Sequence, residues 1–270
     1  MDVGVVSRSF PHLKNRDIAE FLSRNNFRWT ELCFSSIDAK YWVYNGRSDL
    51  STLTDERAAE LISDYRKSNV EVVSIGVFTN LLEPDEQELA ENLAYFEAHM
   101  RIAGRNKIPY VATECGFIPG RRGICADTYE ADFQRLLKSL KWLTNKAEEY
   151  DVVVALEPCV LDVVPSAKRM RDLIEQVESD RLKVLLDPAN LIANSSEEDM
   201  FHYLAPHIAY FHGKDRRVND AYGRVVGDGD IDWPLFFSLY HIHTPGVPFI
   251  LEYVNIDNVC EIRDRVLLSS

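Results

Sequence analysis

The 270-residue chain is short of positive charge: 30 Lys and Arg stand against 43 Asp and Glu, for a net charge of −13. Such a surface repels phosphate backbones, so non-specific nucleic-acid binding lacks its usual driving force, although a local basic pocket is not excluded. Long apolar runs are also missing. None approaches the roughly 18 residues a membrane span needs. The opening MDVGVVSRSFPHLKNRD carries an acidic second residue and only a short apolar stretch, unlike a signal peptide. Cysteine is sparse: Cys33, Cys115, Cys125, Cys159 and Cys260 are odd in number, widely spaced and without a CxxC. That pattern argues against a disulfide framework or a structural zinc site. Glycine-rich phosphate loops of the GxGxxG or GxxxxGKS/T kind do not occur. No low-complexity segment or Pro/Gly/Ser-rich linker divides the chain. These absences lead us to expect a soluble, cytoplasmic protein without nucleic-acid or membrane partners.

What is present is an alternation. With 46% hydrophobic and 27% charged residues, the chain can bury a large core. Short runs rich in Val and Ile read as strands at 3–6, 29–34, 70–77, 108–115, 152–157, 183–187, 208–212 and 249–254. They are nearly continuous in hydrophobicity, as strands covered on both faces of a parallel sheet should be. Amphipathic helices are expected between them at 54–68, 86–104, 127–149, 166–177, 198–204, 233–240 and 257–268. Thr54 and Asp127 are read as helix-starting caps. Eight such units at about 34 residues each suit a single (β/α)8 TIM barrel spanning residues 1–270. A doubly wound open sheet would alternate in the same way, but the missing phosphate turn favours the barrel.

In a barrel the last residues of each strand, and the loop that follows, build the active face. VVVALE ends in Glu157, KVLLD in Asp187 and IAYFH in His212, and FILEYV carries Glu252. An acid at a strand end often only caps the next helix, and a lone histidine there is usually a hydrogen-bonded structural residue. Together the four read differently. Three carboxylates on one rim would repel one another and raise their pKa values unless a cation neutralised them. Three carboxylates and an imidazole suit one Mn²⁺ or Mg²⁺ ion, and also admit Co²⁺ or Zn²⁺.

VALEP, LLDPAN, YFHGKD, GDGDIDW and ILEY, in this order and spacing, resemble the xylose isomerase-like TIM barrel superfamily. The resemblance runs over essentially the whole chain and is most specific from residue 150 onward. It is similar to the sugar isomerase and epimerase branch that includes D-tagatose 3-epimerase and inosose dehydratase. The resemblance implies that Glu157, Asp187, His212 and Glu252 hold the metal. It implies a cation that templates two neighbouring oxygens of a keto-sugar or keto-polyol and eases formation of an enediolate. Glu157 and Glu252 are then the acid–base pair. Opposite-face proton exchange epimerises, same-face exchange between neighbours isomerises, and expulsion of a β-hydroxyl dehydrates. Relatives often form dimers or tetramers.

Departures from the epimerase pattern point to an unusual substrate. Asn190 stands where a substrate-contacting histidine is expected, three residues after the metal Asp. Val163 replaces a second glutamate. The nearest candidates for an expected arginine are Arg216 and Arg217, in a flexible-looking DRRVND loop. Further candidate substrate contacts are Lys214, Glu114, Glu31 and Trp233. Glu31 reads equally well as a partner for Arg28, and Lys214 as a bridge to Asp215 or Glu252. Trp and Tyr side chains in loops pack more often than they stack on sugars. The aromatic loop FSSIDAKYWVYNGRSD after the second strand is a candidate lid or subunit contact. Cys159 reads as a buried, inert thiol.

Other functions compete for the same residues. An inosose-type dehydratase or an enzyme acting on 3-keto-glycosides fits the same site. An endonuclease IV-like DNA repair enzyme would need a histidine at position 190 and a D-x-H pair in 215–232, and the chain has neither. A non-catalytic sugar-binding barrel would have little reason to keep four metal ligands.

Overall fold

Eight parallel strands close on themselves in chain order in the computed structural model, which describes residues 1–121 and 123–270. They are β1 (Val3–Val6), β2 (Trp29–Leu32), β3 (Glu71–Gly76), β4 (Tyr110–Glu114), β5 (Val153–Glu157), β6 (Leu182–Leu186), β7 (Ile208–Gly213) and β8 (Phe249–Leu251). The seam is a β1–β8 ladder in which Val5 lies opposite Leu251. The expected (β/α)8 barrel is therefore the fold, and the open-sheet alternative is set aside.

Helices α1 (Asn15–Arg24), α2 (Asp55–Lys67), α3 (Glu86–Arg105), α4 (Tyr129–Tyr150), α5 (Ala167–Val177), α6 (Pro188–Leu191), α7 (Glu197–Leu204), α8 (Trp233–His243) and α9 (Val259–Ser269) lie between and after the strands. Thr54 caps α2 as expected, its hydroxyl accepting the Arg57 N–H at 3.2 Å. Asp127 does not start α4. That helix begins at Tyr129, and Thr128 before it makes no side-chain capping bond. The sequence reading did not include α1, which also has no side-chain cap and is only ten residues long. Among the described residues no helix is long and apolar enough to cross a membrane.

Side chains on a strand alternate between faces, so each strand here serves two layers. Outward-facing Val5, Leu32, Val111, Val154, Leu156, Val184, Leu186, Phe211 and Leu251 join the large apolar layer under the helices. Val6, Val73, Ala112, Ala155, Leu185, Tyr210 and Ile250 fill the barrel interior. Two residues further along, at the next inward position, the chemistry changes. Val6 is followed by Arg8, Ala112 by Glu114, Ala155 by Glu157, Leu185 by Asp187, Tyr210 by His212 and Ile250 by Glu252. The apolar plug is thus capped by one layer of charged groups at the C-terminal end of the strands.

Gly104 shows how tightly the outer ring is set. It sits inside α3, where glycine costs about 1 kcal/mol relative to alanine. A Cβ there would collide with the carbonyl oxygen of Tyr150 at the end of α4. Gly104→Ala should therefore destabilise the protein by about 1–3 kcal/mol despite its better helix propensity. A urea melt showing the variant equal to or more stable than wild type would refute the close approach.

Candidate metal and substrate site

Glu157, Asp187, His212 and Glu252 are all buried, and each offers a ligand atom within 4.8 Å of the others. Local structure aims each one. Asp187 follows β6 and caps α6, with Oδ1 accepting the Ala189 N–H at 2.9 Å and Pro188 following as a first helical residue. That bond directs Oδ2 at the cluster. Glu157 is the last residue of β5, paired in register with Glu114 on β4. Glu252 lies just past β8, its N–H bonded to the Gly213 carbonyl at 3.0 Å.

His212 is oriented from below. Its Nε2 lies 3.1 Å from Glu31 Oε2, and the Tyr210 hydroxyl donates to that same oxygen at 2.5 Å. A carboxylate on one ring nitrogen fixes the tautomer and leaves a lone pair on the other. That other nitrogen, Nδ1, is buried without a hydrogen-bond partner and faces Glu157 Oε1 and Glu252 Oε1, each 3.6 Å away. A lone pair confronting two carboxylates is repulsive, so a proton or a metal cation has to sit between them. Without the metal the proton wins: burial opposes the charged ring, but Glu31 and Glu157 hold its pKa up at about 9. The donor set, the orphaned nitrogen and the excess of carboxylate all fit one divalent cation.

Glu31 is fully buried and does not line the cavity above the cluster. Expected as a substrate contact, it lies instead one layer lower, against His212 and Tyr210. It does not pair with Arg28 either, which binds Asp2 and lies over the Trp29 ring. Space for its carboxylate comes from Gly76, where a Cβ would collide with Glu31 Oε1.

A cavity of about 310 Å³ opens above, lined by Arg8, Trp42, Tyr44, Glu114, Cys159, Leu161, Asn190, Lys214, Arg216, Ala221, Glu252 and Tyr253. Asn190, Lys214, Arg216 and Glu114 thus reach it together. The Asn190 amide nitrogen donates to Glu157 Oε1 at 2.7 Å, and its oxygen accepts from Arg216 Nη2 at 3.1 Å. Glu114 accepts the Tyr44 hydroxyl at 2.8 Å. Trp233 does not line the cavity: it is buried against Phe236, Phe237 and Phe249, and its indole N–H binds Asp215. Its expected sugar contact is replaced by packing. Val163 is likewise in the core. Cys159 lines the wall, but burial and Asp162 push its thiol up to about 12, as an inert thiol requires.

Three residues of this face escaped the sequence reading. Arg8, two residues past β1, pairs with Glu252 and lies 5.7 Å from the Trp42 ring and 5.4 Å from Phe78. Its inward phase after Val6 was the available signal. Tyr253 follows Glu252 at a positive φ of 58° and places its ring 5.4 Å from Lys214 Nζ. Asp215 organises the loop after β7. It accepts from Arg216 N, Ile231 N, Gly227 N and Trp233 Nε1 at 2.8–3.3 Å. The DRRVND segment that looked flexible is held by this buried carboxylate at its start and by Asp230, which accepts the Val218 N–H at 2.9 Å. The aromatic loop after β2 is anchored too, by Arg47 on Glu88, Glu91 and Asn92.

Residues 20–266 match the family model of the xylose isomerase-like TIM barrel. The chain belongs to that family. A search of curated protein sequences finds no match. Among solved structures, D-psicose 3-epimerase with D-tagatose from Clostridium cellulolyticum H10 is similar at 16% identity and a TM-score of 0.73, over 98% of this chain and 95% of that one. The IolI protein with a bound zinc atom is 15% identical, with a TM-score of 0.78 over 99% and 97%. The 3-keto-D-glucoside 4-epimerase from E. coli is 12% identical, with a TM-score of 0.78 over 100% and 98%. At these identities the likeness establishes a shared fold.

Lys214 is the group that a cation must contend with. Its ammonium lies 2.6 Å from Asp187 Oδ2, 3.0 Å from Glu252 Oε2 and 3.8 Å from Glu157 Oε1. Like the metal it would meet, it is a positive charge satisfying the same oxygens. Lys214→Met should therefore bind Mn²⁺ more tightly, by about tenfold or more, because it removes a like charge that competes for the same oxygens. Titration calorimetry showing unchanged or weaker binding in the variant would reject this competition.

Proposed function

We propose that this protein is a divalent-metal-dependent sugar isomerase or epimerase acting on a keto-sugar or related polyol ketone. The observation that supports this reading is the buried Glu157–Asp187–His212–Glu252 cluster, of which Glu252 lines a sugar-sized cavity. Those four residues would hold the metal, with Mn²⁺ the first choice and Mg²⁺, Co²⁺ or Zn²⁺ also suited to the donor set. When bound, the cation supplies Lewis acidity that lowers the cost of taking a proton from the carbon beside a carbonyl.

The rest of the work falls to the chain itself. Glu157 and Glu252 come from strands separated by two others, β6 and β7, so they approach a bound sugar from different sides. One carboxylate takes the proton and the other returns it to the opposite face, which inverts the carbon. Asn190 keeps Glu157 aimed, because its amide is bonded at both ends and cannot turn over without losing Arg216. Arg8 and Lys214 hold Glu252 in the same way from above. The cavity walls, with Trp42, Tyr44 and Tyr253, offer apolar faces for the sugar ring. A β-hydroxyl leaving after proton loss would turn the same site to dehydration, and the products tell the two apart.

Two measurements test this reading. Purified protein should contain about one equivalent of divalent metal by plasma mass spectrometry, released by chelator, and His212→Ala should lower it strongly because it removes one of the ligands. Three tightly held zinc ions, or no metal after incubation with excess Mn²⁺, would overturn the assignment. In heavy water, wild-type enzyme should exchange a carbon-bound hydrogen in a panel of keto-sugars and inososes. Glu157→Gln should slow that exchange by about 100-fold or more, the usual contribution of a general base, with its circular dichroism unchanged. Near-wild-type exchange would remove Glu157 from the chemistry.

A further inference from the structure

Arg216 is a buried cation without a counter-ion. It is 5% exposed, and no carboxylate of the described residues lies within 4.0 Å of its guanidinium. Its one side-chain hydrogen bond goes from Nη2 to the neutral Asn190 oxygen, while Nε and Nη1 are buried with no partner. Neighbouring Lys214 is met by Asp187 and Glu252, and Arg8 by Glu252. Leaving one buried charge unpaired is strongly unfavourable, and leaving its N–H donors unbonded adds to that. The backbone gives Arg216 no easy exit to solvent. Its N–H is bonded to Asp215 Oδ1 at 2.8 Å, and its carbonyl accepts the Asp230 N–H at 3.0 Å.

The side chain lines the same cavity as Asn190, Lys214 and Glu252. Sugar hydroxyls could satisfy the free N–H groups but would leave the charge uncompensated. An anionic oxygen group satisfies both, and a planar carboxylate matches the guanidinium fork. We propose that the substrate is a sugar acid: a keto-sugar or polyol ketone that carries a carboxylate, bound by Arg216 while its carbonyl end faces the Glu157–Glu252 side. The inference deepens the functional reading above and rests on its assignment of the cavity as the substrate site. It also accounts for the departure at Asn190. Asn190 spends its oxygen on holding Arg216, and Val163 is packed in the core.

The test is calorimetric binding to Mn²⁺-loaded and chelator-treated protein, using D-fructuronate, D-fructose and D-fructose 6-phosphate as probes. Fructuronate should bind at least about tenfold more tightly than fructose, a difference of about 1.4 kcal/mol, in both forms. Arg216→Gln should bring the two within about twofold; its amide can still donate to Asn190, and Arg216→Lys should keep part of the preference. Equal binding of acid and neutral sugar, binding of neither, or a preference that survives Arg216→Gln would overturn the proposal. An Arg216-dependent preference for the phosphate ester over the uronate would overturn the carboxylate assignment. The outcome is separable from the functional reading. Hydrogen exchange in neutral keto-sugars without discrimination sinks only the sugar-acid proposal. Arg216-dependent uronate binding without metal or exchange sinks only the isomerase.

Discussion

Four carboxylates, Glu31, Glu157, Asp187 and Glu252, are buried together at one end of the barrel, and their mutual repulsion governs how that end is built. Buried like charges of this density are tolerated only where cations and donors surround them. Each neighbour answers part of that demand. Lys214 reaches three of the four, Arg8 meets Glu252, and Tyr210 and His212 meet Glu31. The lone pair of His212 Nδ1 is not satisfied by these partners, and it faces Glu157 and Glu252. The site is arranged for a positive charge there, whether a proton or a metal ion.

That arrangement depends on the strand alternation beneath it. A small or apolar inward residue, two positions before each functional one, fills the barrel and lets the next inward side chain stand on a rigid floor. Short side chains at Ala112 and Ala155 make room around the two large rings of Tyr210 and Tyr110, which lie 6.1 Å apart. Because the floor is packed, the carboxylates cannot relax away from one another by sinking into the barrel. Their geometry is therefore inherited from β-sheet register rather than from flexible loops.

Above the strands the loops decide which molecule enters. Asp215 gathers four N–H groups from a stretch of about seventeen residues and so makes a defined wall out of the segment that carries Arg216. Tyr44 on Glu114 and Arg8 against Trp42 close the opposite side. The family fold is shared with proteins only 12–16% identical, and it is in these loops that one barrel can be fitted to a different substrate.

The sequence by itself was enough for the alternation of strands and helices, the barrel and the convergence of Glu157, Asp187, His212 and Glu252 on one rim. Those depend on local patterns: continuous apolar runs, period-two side-chain alternation and polar residues at strand ends. It did not reveal α1, whose ten residues lack a capping side chain, or the start of α4, where the apparent cap Asp127 falls in a turn. It misplaced Glu31 and Trp233, since an inward acid can stop one layer short of a cavity and a loop tryptophan can turn to the core. The tertiary structure alone decided that His212 is oriented by Glu31, that Lys214 lies among the carboxylates, and that Arg216 is buried without an anion. These are relations between residues as many as 181 positions apart, and they exist only once closure of the barrel brings distant strands together.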